Sequence, residues 1–290
     1  MRRSDVMTHL LIHLCLFLFS ISVMMDVNAV SEVKERSMNS DDLIHGPVKL
    51  TVVYDNYPCE NDLTTAWGFS CLIEGVEKAI LFDTGGDGDV LLSNAKQLGL
   101  DPSKVDCIVI SHNHWDHKGG IASVLGLAPG IPVYVPATAL SELQDGIASA
   151  GGKAIPVSES IEICKGVFST GEIRGPVNEQ ALVLETEKGL IAITGCSHPG
   201  IDKILNVVKS KFDTPIHLVF GGFHLMRYSE TDLSHLLDDL SRLSVEHWGP
   251  THCTGDFAIQ RFRERFGDRM MTIGAGRVIE INAEAEGESP

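Results

Sequence analysis

Short apolar runs separated by turn residues recur along the chain, and their period and length assign most of its elements. Residues 49–54 (KLTVVY), 66–74 (AWGFSCLIE) and 79–82 (AILF) read as strands, the second by its alternation. A helix is predicted over 90–100, closed by Gly99, followed by a buried strand over 105–110 (VDCIVI). Residues 119–127 read as helical, 132–135 (PVYV) as a strand, 138–149 as a helix, and 153–174 as holding two short strands. Residues 181–185 and 190–194 (ALVLE and LIAIT) predict a hairpin turning through Glu187, Lys188 and Gly189. Beyond it come a helix over 201–211, a strand over 216–220 (IHLVF), and helices over 231–243 and 256–266, the last with Asp256 as its N-cap. Residues 271–282 (MTIGAGRVIEIN) are expected to close the sheet. Two blocks of strands, each followed by helices, predict two sheets packed face to face with helices outside.

The chemistry concentrates just after the strand over 105–110, in Ser111-His112-Asn113-His114-Trp115-Asp116-His117. Three imidazoles and a carboxylate within six residues are costly to bury unpaired, and neutral imidazole is a common ligand for zinc-like metals. On an extended loop His112 and His114 point the same way and can hold one cation, while Asp116 and His117, coming round the turn, can reach a second. The alternative is a solvated histidine-rich loop without metal; the preceding strand, the spacing and the glycines at 119 and 120 argue against it. His198 (TGCSHPG), His224 (GGFHL) and His252 (THCTG) each follow an apolar strand and a glycine or threonine. Any one alone reads equally well as an ordinary surface histidine, but three recurring at strand ends favour a shared site. His217 sits inside a strand, and His235 and His247 in or near helices; these three read as structural.

SHNHWDHKGG at 111–120 together with LFDTGG at 81–86 resembles the metallo-β-lactamase-fold hydrolase superfamily. WGFSCLIE (67–74), TGCSHPGI (194–201), GGFHL (221–225) and THCTG (251–255) are most similar to the branch labelled 7,8-dihydropterin-6-yl-methyl-4-(β-D-ribofuranosyl)aminobenzene-5'-phosphate synthase. The resemblance spans roughly residues 48–283. It implies a four-layer αββα sandwich binding one or two Zn2+ ions, with iron or manganese as alternatives. It also implies that Asp83 accepts the second ring N–H of a ligand histidine; the other reading is a plain turn aspartate. The chain departs from the superfamily pattern twice. Cys196 stands where a bridging aspartate is usual, and Gly175 to Glu179 offers no histidine where one is usual. The expectation is therefore that His198 completes a first site with His112 and His114, and that His252 serves a second with Asp116 and His117. Cys196 would bridge as a thiolate or stand behind the ligands. Glu179 would be a ligand or a substrate contact, and His224 would contact substrate or a developing oxyanion.

Composition narrows the partners. With 43% hydrophobic and 21% charged residues the 290-residue chain can build a full core. A net charge of −16 and a pI near 5.1 argue against nucleic acid or an anionic membrane as a partner; the partner expected from the enzyme reading is a small-molecule substrate. Residues 1–29 have a basic start, an apolar stretch at 10–25 and a small-residue site ending at Ala29, the layout of an export signal. Cleavage there would leave no stable membrane insertion and a periplasmic or secreted protein. The apolar run is short for a membrane span, which disfavours a retained anchor. Residues 30–47 read as a polar leader of little structure, 48–283 as one catalytic domain, and 284–290 as an acidic tail. Six cysteines remain after the signal, with no spacing that suggests a disulfide framework.

Neither GGDGD (85–89) nor GAG (274–276) has the spacing of a dinucleotide loop, and no serine occupies a strand-turn-helix elbow. The leading expectation is a metal-dependent hydrolase in which a coordinated water, acidified toward neutrality, attacks an ester, lactone, thioester or phosphoester. Asp116 would orient that water and help carry its proton. Substrate walls are expected from loops 55–65 and 136–178. The branch label implies a condensing, transferase-type enzyme instead. The superfamily also contains mononuclear iron oxygenases acting on sulfur, and a binding protein on an inherited fold is a further class.

Overall fold

The computed structural model describes residues 43–60 and 62–281; the expectations for the signal segment, most of the leader and the acidic tail lie outside them. The first half of the chain builds one sheet. β1 (Val48–Asp55), β2 (Phe69–Glu74) and β3 (Ile80–Phe82) form an antiparallel meander. Then α1 (Gly88–Gln97) leads to β4 (Cys107–Val109), and α2 (Trp115–Lys118) and α3 (Ile121–Leu127) lead to β5 (Pro132–Pro136). Finally α4 (Leu140–Ser149) leads to β6 (Lys153–Val157). β3 to β6 are parallel, as strands joined through helical crossovers must be.

The second half repeats the plan. β7 (Ile161–Cys164), β8 (Val167–Ser169), β9 (Leu182–Thr186) and β10 (Gly189–Thr194) are antiparallel. Through α5 (Ile201–Lys211) the chain reaches β11 (Ile216–Gly222), and through α6 (Glu230–Leu240) it reaches β12 (His247–Thr251), both parallel to β10. After α7 (Asp256–Phe266), β13 (Val278–Ile281) returns to the first sheet beside β1. The sheet orders are β13-β1-β2-β3-β4-β5-β6 and β12-β11-β10-β9-β8-β7.

Strand periodicity explains the layering. Along β10, Ile191 and Ile193 join the core between the sheets, whereas Leu190 and Ala192 face the layer with α5, α6 and α7. Val48, Leu50 and Val52 of β1 enter the same central core, and after an irregularity at Val52–Tyr54, Val53 and Tyr54 pack with α1 and α3. Both faces of both sheets are thus buried, which is the expected αββα sandwich.

Several expectations change. Asp256 is the first residue of α7 rather than its cap; Gly255 takes the cap position, and the Asp256 carboxylate accepts a hydrogen bond from the Tyr57 hydroxyl (2.6 Å). The closing strand is shorter than 271–282, because Gly276 turns the backbone at φ 90° and Ala275 pairs with the 57–60 loop instead. Residues 153–174 hold three short strands, not two. His247 begins a strand rather than lying near a helix. The end of the leader is not structureless: Ile44 is buried and its N–H donates to the Glu185 carbonyl (3.0 Å). The six cysteines among the described residues are free, and no helix there is long and apolar enough to cross a membrane.

Candidate metal centre

Parallel strands bring their C-terminal ends to one edge, and the loops leaving those ends carry the site. Asp83 follows β3, residues 111–117 follow β4, Cys196 and His198 follow β10, His224 follows β11 and His252 follows β12. The 111–117 stretch is not wholly loop, since Asp116 and His117 already belong to the helical turn α2. Asp83, His224 and His252 are all left-handed, with φ of 57°, 55° and 52°. Such strain in non-glycine residues persists where surroundings over-determine it, and it clusters at functional sites. Gly195 serves by absence, because a Cβ there would lie 2.0 Å from the Ser111 hydroxyl and 3.0 Å from an Asp83 oxygen.

Two sets of ligand-type atoms result. In the first, His112 Nε2 lies 3.0 Å and His198 Nε2 3.1 Å from His114 Nδ1. The other His112 nitrogen, Nδ1, contacts the Ser111 hydroxyl at 2.9 Å. One ring nitrogen either carries a proton or accepts one, so His114 Nδ1 cannot satisfy both neighbours. A shared cation would satisfy all three; nitrogens about 2.0–2.1 Å from a tetrahedral zinc stand roughly 3.3 Å apart. Burial and neighbouring imidazoles push His112 well below the usual histidine range, hold His198 at about 3 and lower His114. All three are therefore neutral at pH 7, the form that ligates.

The second set is Asp116, His117, Cys196 and His252, all buried. His117 Nδ1 contacts Asp83 Oδ2 at 2.7 Å, and its Nε2 faces Cys196 Sγ at 3.2 Å and Asp116 Oδ2 at 3.6 Å. Burial pushes His117 down, but the Asp83 carboxylate more than offsets this and holds it up at about 9. A proton thus stands on the side of the ring that faces the sulfur and the carboxylate, where a cation would take its place. His252 Nδ1 contacts Asn56 Oδ1 at 2.8 Å, while its Nε2 is buried without a hydrogen bond, 3.3 Å from Asp116 Oδ2 but off the line such a bond needs. An orphaned buried ring nitrogen beside a carboxylate fits a metal position. Burial raises Asp116, yet His252 and His117 outweigh it and hold the carboxyl down at about 2. Cys196 also groups with His198 and His224, so its sulfur adjoins both sets. Burial pushes the Cys196 thiol well above its usual value, and the neighbouring Cys253 adds to the effect.

Two residues hold this arrangement from behind. Asp83 also accepts from the Ser111 N–H (2.7 Å) and hydroxyl (2.7 Å). Asp83 thus hydrogen-bonds both the His117 ring and the Ser111 loop. Glu179 does not match either role expected of it. It is fully buried, with Oε1 accepting the N–H groups of Gly195, Cys196 and Ser197 and Oε2 that of His198, at 2.8–3.2 Å. Its oxygens are spent on backbone rather than on metal or substrate.

The site opens into a cavity of about 1050 Å³. It is lined by His114, His198, His224 and Cys253 together with Trp67, Met226, Arg227, Tyr228 and Asp232. These walls replace the expected ones, since none comes from loops 55–65 or 136–178. Met226, Arg227 and Tyr228 directly follow GGFHL, and an exposed aromatic and a cation just past a strand's C-terminal end were the available signal. Asn56 and Ser111, which contact the His252 and His112 rings, left no comparable mark in the sequence.

Comparison with known proteins gives the family. Residues 68–205 match the metallo-beta-lactamase superfamily. The 7,8-dihydropterin-6-methyl-4-(beta-D-ribofuranosyl)-aminobenzene-5'-phosphate synthase of Methanocaldococcus jannaschii is 29% identical, over 81% of this chain and 97% of its own. The solved structure of Tm1679, a metal-dependent hydrolase of the beta-lactamase superfamily, is 31% identical with a TM-score of 0.71, covering 81% of this chain and 99% of that one. YhfI from Bacillus subtilis, at 16% identity and a TM-score of 0.59, shares the fold over 81% of this chain and 99% of its own. The chain belongs to the metallo-β-lactamase superfamily.

Proposed function

We propose that this protein is a metal-dependent hydrolase of a small ester, lactone, thioester or phosphoester. The observation that carries the reading is two adjoining ligand sets, one of which reaches an open cavity through His114 and His198 while the other, buried, holds an orphaned ring nitrogen. His112, His114 and His198 would hold one cation, and Asp116, His117, His252 and the Cys196 sulfur a second. Zinc suits this nitrogen, oxygen and sulfur set, and iron or manganese suits its nitrogen and oxygen part. When bound, the metal supplies Lewis acidity and a water acidified to near neutrality.

The chain's own groups do the rest. Asp116 stays ionised through the neutral range, which suits an acceptor that orients a water more than a strong base. His224 faces the cavity with its ring 4.2 Å from that of His198, and its contact with Cys253 raises its pKa. It is therefore placed to donate a hydrogen bond to negative charge developing on substrate. Asp83 fixes the His117 ring and Asn56 that of His252.

A second reading, a condensing enzyme like the M. jannaschii synthase, draws support from the cavity walls. Trp67 and Tyr228 offer faces for a flat ring, and Arg227 offers a partner for an anion. Export of the mature chain, proposed from residues 1–29, would favour hydrolysis over chemistry on a cytoplasmic precursor.

The test is metal content and turnover of the chain purified without chelators. We expect one or two equivalents of metal and cleavage within a panel of the four bond classes, with His114→Ala losing the first equivalent and at least about 100-fold of activity. Full metal and activity in His114→Ala would sink the proposal. Condensation without hydrolysis would establish the second reading.

A further inference from the structure

A third cluster of ligand-type side chains lies at the opposite end of the second sheet. His217 is the second residue of β11, and Glu246 and His247 stand at the start of β12. Glu246 addresses both rings: Oε2 lies 2.8 Å from His217 Nδ1 and Oε1 lies 3.4 Å from His247 Nε2. The ring centroids are 5.2 Å apart at 85°, and one ligand atom from each residue falls within 4.8 Å of the others. From His217 to Gly222, where the strand enters the catalytic edge, is five residues, roughly 16 Å of strand. This cluster is therefore separate from the metal centre described above.

The scaffold is rigid. The ladder pairs Leu218 with His247, and the Glu246 N–H donates to the Ile216 carbonyl at 3.0 Å, so the three residues are fixed by sheet pairing rather than carried on a free loop. Gly189 of the neighbouring strand lets this end of β11 approach closely, since a Cβ there would stand 2.7 Å from the Pro215 carbonyl oxygen and 3.3 Å from His217 Cβ. The His217 side chain is only 16% exposed, whereas that of Glu246 is 60% exposed, so the cluster opens outward on one side. An exposed histidine–glutamate ion pair contributes little by itself. One carboxylate set between two imidazoles on adjacent fixed strands is a preorganised chelate.

We infer that His217, Glu246 and His247 form a second, non-catalytic site for a divalent transition ion, pinning β11 to β12 at the edge remote from the catalytic centre. Two imidazoles and a carboxylate suit zinc, nickel or copper, whereas magnesium and calcium prefer sets made of oxygen alone. Three protein ligands leave a coordination position open to solvent.

The test is equilibrium dialysis of the full-length chain against zinc chloride, followed by elemental analysis. Wild type should hold one equivalent more than either His217→Ala or His247→Ala, with turnover unchanged in both variants. His114→Ala should keep this extra equivalent while losing one at the catalytic centre, so failure here and failure of the hydrolase reading are told apart. Glu246→Gln alters only an exposed side chain and should raise the Kd for the extra equivalent at least about tenfold. Equal zinc in wild type and both histidine variants, or an unchanged Kd in Glu246→Gln, overturns the assignment. Magnesium chloride in place of zinc should add no equivalent at this position; an equivalent that the histidine variants remove would overturn the choice of ion.

Discussion

A single carboxylate shows how much of the site depends on residues that would never touch a metal. Asp83 takes the His117 ring N–H on one oxygen and the Ser111 backbone on the other, tying β3 to the ligand loop after β4. Asparagine keeps the shape and loses the charge that holds His117 in its working orientation. Asp83→Asn should therefore weaken metal binding by about 10- to 100-fold while the protein remains folded, as outer partners of ligand histidines usually do. Competition against a chromogenic chelator measures this directly, and an unchanged affinity would return Asp83 to the status of a turn residue. Asp83 was singled out by the resemblance that LFDTGG carries, whereas the partners it selects were not. That His117 Nδ1 faces Asp83 while Nε2 faces Cys196 is a fact of two loops meeting across the sandwich, beyond any spacing along the chain.

At the scale of elements, the loop from Gly195 to His198 carries the departure from the superfamily pattern, and Glu179 is what shapes it. Four backbone N–H groups in a row converge on one buried carboxylate, and Ser197 takes a left-handed φ of 65° within the same turn. Glutamine would aim an amide N–H at donors already present. Glu179→Gln should thus cost about 1.5–3 kcal/mol, the worth of a hydrogen bond to a charged group, and should loosen His198. Denaturant midpoints would read the first effect, and loss of the equivalent held by His112, His114 and His198 the second. The strand over 66–74 was legible from its alternation, and the hairpin of β9 and β10 from two continuous apolar runs, buried on both faces, on either side of a Glu187-Lys188-Gly189 turn. For β12 only a strand end before His252 was read and not its span, because its sequence HWGPT holds glycine and proline; at the sheet edge the proline's missing N–H costs no ladder bond. Glu179 was misread for a related reason. Nothing in GPVNE distinguishes a carboxylate facing a cavity from one facing backbone.

At the scale of the whole molecule, the candidate ligands come from both sheets. His112, His114, Asp116 and His117 leave the first sheet, and Cys196, His198 and His252 leave the second. A cation bound among them would join the two halves of the sandwich at one edge, so its removal should be felt as global stability. Ligand present at 1,000 times its Kd stabilises the folded state by about 4 kcal/mol. For a domain of this size that corresponds to a Tm lowered by roughly 8–16 °C on chelation. The effect should depend on pH with a definite sign. His117 is held at about 9 in the metal-free fold, above its unfolded value, so the stability it contributes is full below about 6.5 and lost as pH rises toward 9. In the metal-loaded protein the cation replaces that proton and this loss disappears. Below about pH 6.5 the opposite pressure acts, because His112 and His198 are depressed in the fold and protonation favours the unfolded chain. Metal must also compete with protons there. The gap in Tm between loaded and chelated protein should therefore widen steadily from pH 6 to pH 9. A gap independent of pH across that range, measured by calorimetry at fixed free metal, would mean that the His117 proton is not displaced by metal and that the second ligand set stays vacant.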